Sequence, residues 1–371
     1  MLTRRQFLRS SLVASAGLKF TGRARAFAEP DQTRIDALVN AYRQAYDVPG
    51  LSLAYGHGAR IDFARGFGMA DRHSHEQVTP QSLFRIASLS KAFTSAAVFT
   101  LVEAGKLRTN DTIFGSSGIL KEFALHTHPD WLKAITVEHL LTHTAGGWSN
   151  KERDPMFHVP DRGRASFIQQ TLDAYPLESP PGKVFLYSNF GYFLLGRVIE
   201  AVSGIPYGEY VRQHVQAPLK ITDMRLGQEK TAPGEVHYYG QDRDDPYAFP
   251  IELHDANGGW IATPSDLVRF ASGIFSATGE HDDPPLLKPD TLRELTQGSA
   301  ANPEYACGWS VSADRNFFHS GGFDGSASFM MRRHDGFAWA IVVNTRRPHS
   351  EMEKDLHKLS WDVARVLEPE G

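Results

Sequence analysis

The two ends of this 371-residue chain carry matching patterns, and that symmetry restricts the fold more than any other feature. From Pro30 to Tyr46 the apolar spacing of Ile35, Leu38, Val39 and Tyr42 predicts an amphipathic helix. Gly50–Tyr55, a turn at Gly56-His57-Gly58 and Arg60–Gly66 then read as a hairpin. At the other end, strands are predicted at Trp309–Val311, Phe317–His319, Ser326–Arg332 and Ala338–Asn344, followed by a helix from about Ser350 to Leu367. The middle is helical and loop-rich, with breaks at Pro180-Pro181-Gly182 and Asp282-Asp283-Pro284-Pro285. The expected architecture is α+β. Residues 29–84 and 300–371 would form one lobe, an antiparallel sheet flanked by the N- and C-terminal helices. Residues 85–299 would form a mainly helical lobe, with a ligand site between the two.

Composition limits the function classes. With 41% hydrophobic and 22% charged residues, the chain is an ordinary folded protein. The formal net charge is −4, and no basic run follows the N-terminus, which argues against a nucleic-acid partner. Cys307 is the only cysteine and cannot form an internal disulfide; within Tyr305-Ala306-Cys307-Gly308-Trp309 it reads as a small buried hydrophobe.

Residues 1–28 read as a twin-arginine signal peptide. Thr3-Arg4-Arg5-Gln6-Phe7-Leu8-Arg9 precedes a short apolar stretch, then the small-residue run Ala24-Arg25-Ala26-Phe27-Ala28. The apolar stretch is too short to cross a bilayer, so no stable membrane span is expected in the mature chain. Its removal would take six cations and no acid, leaving a more acidic protein that is periplasmic or secreted.

Three segments carry chemistry. In Phe84-Arg85-Ile86-Ala87-Ser88-Leu89-Ser90-Lys91, Ser88 reads as the start of a helix running to about Leu107. Residues i and i+3 share a helix face, so Lys91 can reach the Ser88 hydroxyl, which needs a neighbour to take its proton. Alone, Ser-x-x-Lys reads first as a helix cap followed by a surface lysine. Pro181-Gly182-Lys183-Val184-Phe185-Leu186-Tyr187-Ser188-Asn189 places a tyrosine and an amide two residues apart on a non-helical stretch, facing one way. Phe318-His319-Ser320-Gly321-Gly322 reads as a strand ending in glycines, which let a substrate approach and expose an N–H.

Taken together and in that order, Ser88-Leu89-Ser90-Lys91, Tyr187-Ser188-Asn189 and His319-Ser320-Gly321 resemble the serine β-lactamase and penicillin-binding-protein superfamily. The likeness is to the branch holding class C β-lactamases, DD-carboxypeptidases, β-lactamase-like esterases and D-aminopeptidases. It extends to Ile135–Gly147 and Gly258–Leu267 and covers nearly the whole mature chain as one catalytic unit. The resemblance implies that Ser88 attacks a carbonyl to form an acyl-enzyme. Tyr187, as phenolate or through a proton shared with Lys91, would be the base. The amides of Ser88 and Gly322 would form an oxyanion hole. Asn189 would hold Lys91 or a substrate amide, and His319 would contribute a donor near Tyr187 or the substrate. Ser320 and Gly321 would bind substrate, and no cofactor or metal is implied.

Class C enzymes usually carry Lys-Thr-Gly where this chain has His319-Ser320-Gly321. A histidine is mostly neutral at pH 7 and a poor magnet for a substrate carboxylate. A peptidase for D-amino-acid or DD-carboxypeptidase-type peptides, or a carboxylesterase, is therefore expected ahead of a β-lactamase. The partner would be a small acyl substrate: an ester, a D-amino-acid peptide or a β-lactam. A penicillin-binding sensor that acylates without turnover is the alternative from another class. No Gly-x-Ser-x-Gly elbow is present. His73-Ser74-His75 and His126-Thr127-His128 read as loop histidines without a metal partner, His143 as a packing residue, and Asn150 or Lys151 as a polar contact to substrate.

Overall fold

The computed structural model describes residues 31–58, 60–151, 153–158, 163–241, 245–276 and 285–368. The expected leader at 1–28 and the Asp282-Asp283-Pro284 break lie outside them. In chain order, the elements that position the site are α1 (Gln32–Ala45), β1 (Gly50–His57), β2 (Arg60–Asp71), β3 (Glu76–Gln77) and α2 (Ser90–Glu103). They are followed by α3 (Asn189–Ser203), α4 (Pro264–Ile274), β4 (Ser310–Val311), β5 (Phe317–Phe323), β6 (Ser326–Arg332), β7 (Phe337–Val343) and α5 (Met352–Leu367).

One seven-stranded antiparallel sheet has the order β3-β2-β1-β7-β6-β5-β4. The N-terminal hairpin therefore joins the C-terminal strands through the β1–β7 ladder, with Leu51 opposite Val343 and Tyr55 opposite Trp339. Both strands are buried on both faces, and the period-2 alternation sorts their side chains by size. Leu51, Leu53, Tyr55, Trp339, Ile341 and Val343 point to α1 and α5. Ala54, Ala338 and Ala340 point to the opposite layer, where α4 lies close enough that a Cβ on Gly56 would come 3.1 Å from Val268. Small residues there let a helix axis approach the sheet. The bulky face fills the space beneath the terminal helices, each large side chain contributing about 1.5–3 kcal/mol on burial. Polar pins hold α5 in register: Tyr55 donates to the Ser360 carbonyl (2.7 Å) and Trp339 Nε1 to Ser360 Oγ (3.2 Å).

Two helices of the middle segment matter for the site. α2 is buried nearly all round, which explains its unbroken run of Ala, Phe and Val. α3 begins where Ser188 Oγ accepts from Gly191 N–H at 3.0 Å. A small ribbon of Phe84–Arg85, Trp260–Ala262 and Arg225–Leu226 leads into Ser88.

Candidate active site

The chain enters the site through a strained turn. Ala87 has φ 46°, left-handed for a residue with a Cβ, and Ala87–Leu89 form a 3₁₀ turn. The structure corrects the helix expected from Ser88 to Leu107. The α-helix runs from Ser90 to Glu103, and Ser88 makes no cap bond, which leaves its hydroxyl facing the cleft. β5 and β6 clamp the turn: Ser328 Oγ donates to the Ile86 carbonyl (2.8 Å), and a Cβ on Gly321 would come 2.3 Å from that same oxygen. The imaginary Cβ would also lie 3.0 Å from the Ser88 nitrogen, so glycine is what lets β5 run beside Ser88.

Lys91 is completely buried, and its ammonium group has three oxygen neighbours. Ser88 Oγ lies at 3.0 Å, Asn189 Oδ1 at 2.7 Å and the Asn257 carbonyl at 2.8 Å. None is charged. Burial pushes the Lys91 pKa down to about 7, and Asp154 counters only part of that. Asp154 acts at one remove, because its Oδ2 accepts from Asn189 Nδ2 at 2.6 Å. Asn189 is thus a bridge from the amine to the carboxylate. It is also the first residue of α3 rather than part of a non-helical stretch, as the sequence had suggested.

The Tyr187 ring centroid lies 4.9 Å from Lys91 Nζ, and Tyr187 lines the cleft beside Ser88. Burial raises its pKa well above the ordinary tyrosine value, Ser88 opposing and Asp154 adding to the rise. The phenol is the stable form here, which disfavours the phenolate base expected from the resemblance.

His319 is buried, with Nδ1 2.6 Å from the Ser320 carbonyl and Nε2 3.1 Å from the Tyr305 hydroxyl. Burial, assisted by Lys91, pushes its pKa down to about 3, so the ring is neutral. Both nitrogens are engaged inside the protein, which disfavours the substrate-donor alternative for His319. Ser320, Gly321 and Gly322 line a cleft of about 580 Å³ together with Ser88, Tyr187 and His319. Arg346 lies over Gly322 and pairs with Glu353 at 2.7 Å.

Of the two loop residues expected near substrate, Asn150 lines the cleft and its N–H donates to the Tyr187 carbonyl (2.9 Å). Lys151 lines a separate depression with Trp148 and Tyr175. His143 is buried among Tyr187, Tyr192 and Tyr305. His73, His75, His126 and His128 are exposed, and none of them lines the cleft. Cys307 is buried and its thiol pKa is raised by desolvation, which removes it as a nucleophile. Sequence reasoning missed Asp154, Tyr305 and the Asn257 carbonyl. Asp154 lies just beyond Asn150 and Lys151, and Tyr305 opens the Tyr305–Trp309 run already singled out. The third is a backbone atom, which no residue type advertises.

A family model for beta-lactamases matches residues 35–360. Penicillin-binding protein 4* of Bacillus subtilis (strain 168) is 26% identical over 350 residues, covering 82% of this chain and 70% of that one. Protein flp of Staphylococcus aureus (strain MW2) is 26% identical over 305 residues, covering 81% of this chain and 60% of its own length. The D-amino acid amidase from Ochrobactrum anthropi SV3 superposes with a TM-score of 0.73 at 23% identity, over 90% of this chain and 97% of that one. An octameric penicillin-binding protein homologue from Pyrococcus abyssi gives 0.69 at 22% identity, over 89% and 77%. These two likenesses bear on the fold. The family match spans most of the chain and includes every element around Ser88, and the chain belongs to the beta-lactamase family.

Proposed function

We propose that this protein is a serine hydrolase that forms an acyl-enzyme on Ser88 with Lys91 as the base, acting on D-amino-acid peptides or amides, or on carboxylic esters. The observation that carries the reading is the shell around Lys91 Nζ. A neutral amine can keep its two hydrogens on Asn189 Oδ1 and the Asn257 carbonyl and turn its lone pair to the Ser88 hydroxyl. As Ser88 Oγ attacks the carbonyl carbon, its proton passes to Lys91, and the ammonium then has three donors for three acceptors. Tyr187, held as a phenol, carries a proton onward to the leaving nitrogen or oxygen. Positioned proton transfer of this kind gives about 10²–10⁴-fold. The N–H groups of Ser88 and Gly322 would hold the oxyanion, where losing one donor costs roughly 2.7–4 kcal/mol. Collapse expels the leaving group. Water attack on the ester, with Lys91 again as base, returns Ser88.

The substrate class is supported by the neutral His319, which supplies no cation where class C enzymes carry lysine, and by the D-amino acid amidase neighbour. Export by the twin-arginine route remains part of the proposal, on the strength of Arg4-Arg5 and the small residues at 24–28. Among the described residues no helix is long and apolar enough to cross a membrane.

The test uses a p-nitrophenyl ester, a D-alanyl-D-alanine peptide and a fluorescent penicillin, on wild type and Ser88→Ala. Turnover of ester or peptide, with an acyl adduct on Ser88 by mass spectrometry, is expected in the wild type alone. Turnover that survives Ser88→Ala overturns the mechanism. Persistent penicillin labelling without any turnover would make the protein a sensor instead.

A further inference from the structure

Beside the Ser88–Lys91 contact runs a second, buried line of hydrogen bonds, and its two backbone ends fix its direction. The Ser188 N–H can only donate, and it donates to His143 Nδ1 at 3.1 Å. A neutral His143 therefore carries its hydrogen on Nε2, which faces the Tyr305 hydroxyl at 3.1 Å. At the far end the Ser320 carbonyl can only accept, so His319 carries its hydrogen on Nδ1. His319 Nε2 then accepts the Tyr305 hydrogen at 3.1 Å. Between the donating Ser188 N–H and the accepting Ser320 carbonyl, His143, Tyr305 and His319 each donate once and accept once.

The line has no place for an extra proton. Protonated His143 would set Nδ1–H against the Ser188 N–H. Protonated His319 would turn Nε2–H onto Tyr305, whose own hydrogen would lose its acceptor. The surroundings work the same way. His319 faces Tyr187, Tyr305 and the charge of Lys91. His143 faces Tyr187, Tyr192 and Tyr305, with Lys91 and His319 nearby. Tyr305 itself faces Tyr192 and Cys307, and Tyr192 donates to the Leu141 carbonyl at 2.8 Å. Among the described residues, no carboxylate acts on either ring to favour its charged form.

We infer that Tyr305 is a positioning residue. It locks His143 and His319 in single neutral tautomers and so fixes the Tyr187–Ser188 segment against the His319–Gly322 strand, the two walls of the cleft. This rests on the acyl-enzyme reading, because those walls matter to turnover only if Ser88 is acylated between them. The lock also leaves the neighbourhood of Lys91 unchanged while Lys91 itself gains or loses its proton.

Two measurements on the full chain test it. Long-range nitrogen–proton NMR of the wild type is expected to show His143 as the Nε2–H tautomer and His319 as the Nδ1–H tautomer, unchanged from pH 8 to 5. Either ring in the other tautomer, or protonated at pH 7, overturns the inference without reference to activity. Tyr305→Phe keeps the ring and removes the hydroxyl. It is expected to lower kcat for the p-nitrophenyl ester about 10–100-fold, as a small misplacement does. It should also add an ionisation on the acid side of the kcat/KM profile, because His319 loses the donor that favours its neutral form. A folded Tyr305→Phe with the wild-type pH profile also overturns it. A variant that does not fold leaves the NMR result to decide. Ester turnover by Ser88→Ala would sink the acyl-enzyme reading, while the tautomers would stand or fall separately.

Discussion

Two buried cations flank the segment His254–Asn257, and the protein treats them in opposite ways. Arg197 touches carboxylates directly: Asp255 at 2.7 Å and Glu200 at 2.7 Å, with Arg164 sharing Asp255 at 2.9 Å. Burial works against its charge, but those contacts more than offset it, and its pKa moves up. Lys91 touches only neutral oxygens, one of them the Asn257 carbonyl two residues from Asp255. With its nearest carboxylate held off by Asn189, burial wins and the pKa falls to about 7. A carboxylate in contact makes a fixed structural charge, whereas one at a single remove leaves a lysine able to surrender its proton.

The largest expected difference between the two is in turnover. Lys91→Met removes the proposed base and should lower ester kcat about 10²–10⁴-fold. Arg197→Met should leave the pH dependence of turnover in place, and equal losses with altered profiles would break the comparison. In urea denaturation the order reverses. Arg197→Met strips Asp255 of its closest partner and should cost about 3–5 kcal/mol, whereas Lys91→Met should cost far less.

A third difference lies in the pH dependence of stability. The folded pKa of Lys91 is below its unfolded value, so between about pH 7 and 10 the unfolded chain binds more protons. The burden of burying Lys91 is fully present below pH 7 and lifts as pH rises toward the unfolded pKa. Wild-type stability relative to Lys91→Met should therefore climb from pH 6.5 to 9. The difference matters, since the buried tyrosines titrate alike in both proteins. A flat difference would mean that Lys91 stays charged.

The smallest effect sharpens the contrast. Asp154→Asn keeps an acceptor for Asn189 but removes the charge that holds the Lys91 pKa up. The acid limb of kcat/KM, expected near pH 7 in the wild type, should move to lower pH. A shift in the other direction would assign that limb to another group.

Much of this was readable from residue order. The strands at Ser326–Arg332 and Phe337–Val343 and both terminal helices fall close to where expected, the strands as short runs buried on both faces and the helices as apolar stripes of helical period. Gly66 was expected to end the hairpin, yet β2 continues to Asp71. A Cβ on Gly66 would meet the Val78 carbonyl at 2.3 Å, so that glycine serves close packing rather than a turn. In the site, the segments holding Ser88, Lys91, Tyr187 and His319 were legible as a set. What was not legible depends on tertiary contact. Ala87 adopts φ 46° only because β5 and β6 clamp the turn. Tyr305 matters for the two rings it meets, and the low pKa of Lys91 depends on what surrounds it rather than on its place in Ser-x-x-Lys.

The strand order also gives the Ser88 cleft a schedule. β1 is completed by β7, and Ser88 is walled by β5, so neither the sheet nor the cleft can close until the chain has been synthesised past Val343. At about 5–20 residues per second, Ser88 leaves the ribosome on the order of tens of seconds before its opposite wall exists. A chain cut short before β5 would carry the hydroxyl and the lysine with nothing to bury that lysine. On the proposed reading, the site would thus be assembled only after β5, β6 and β7 have been made.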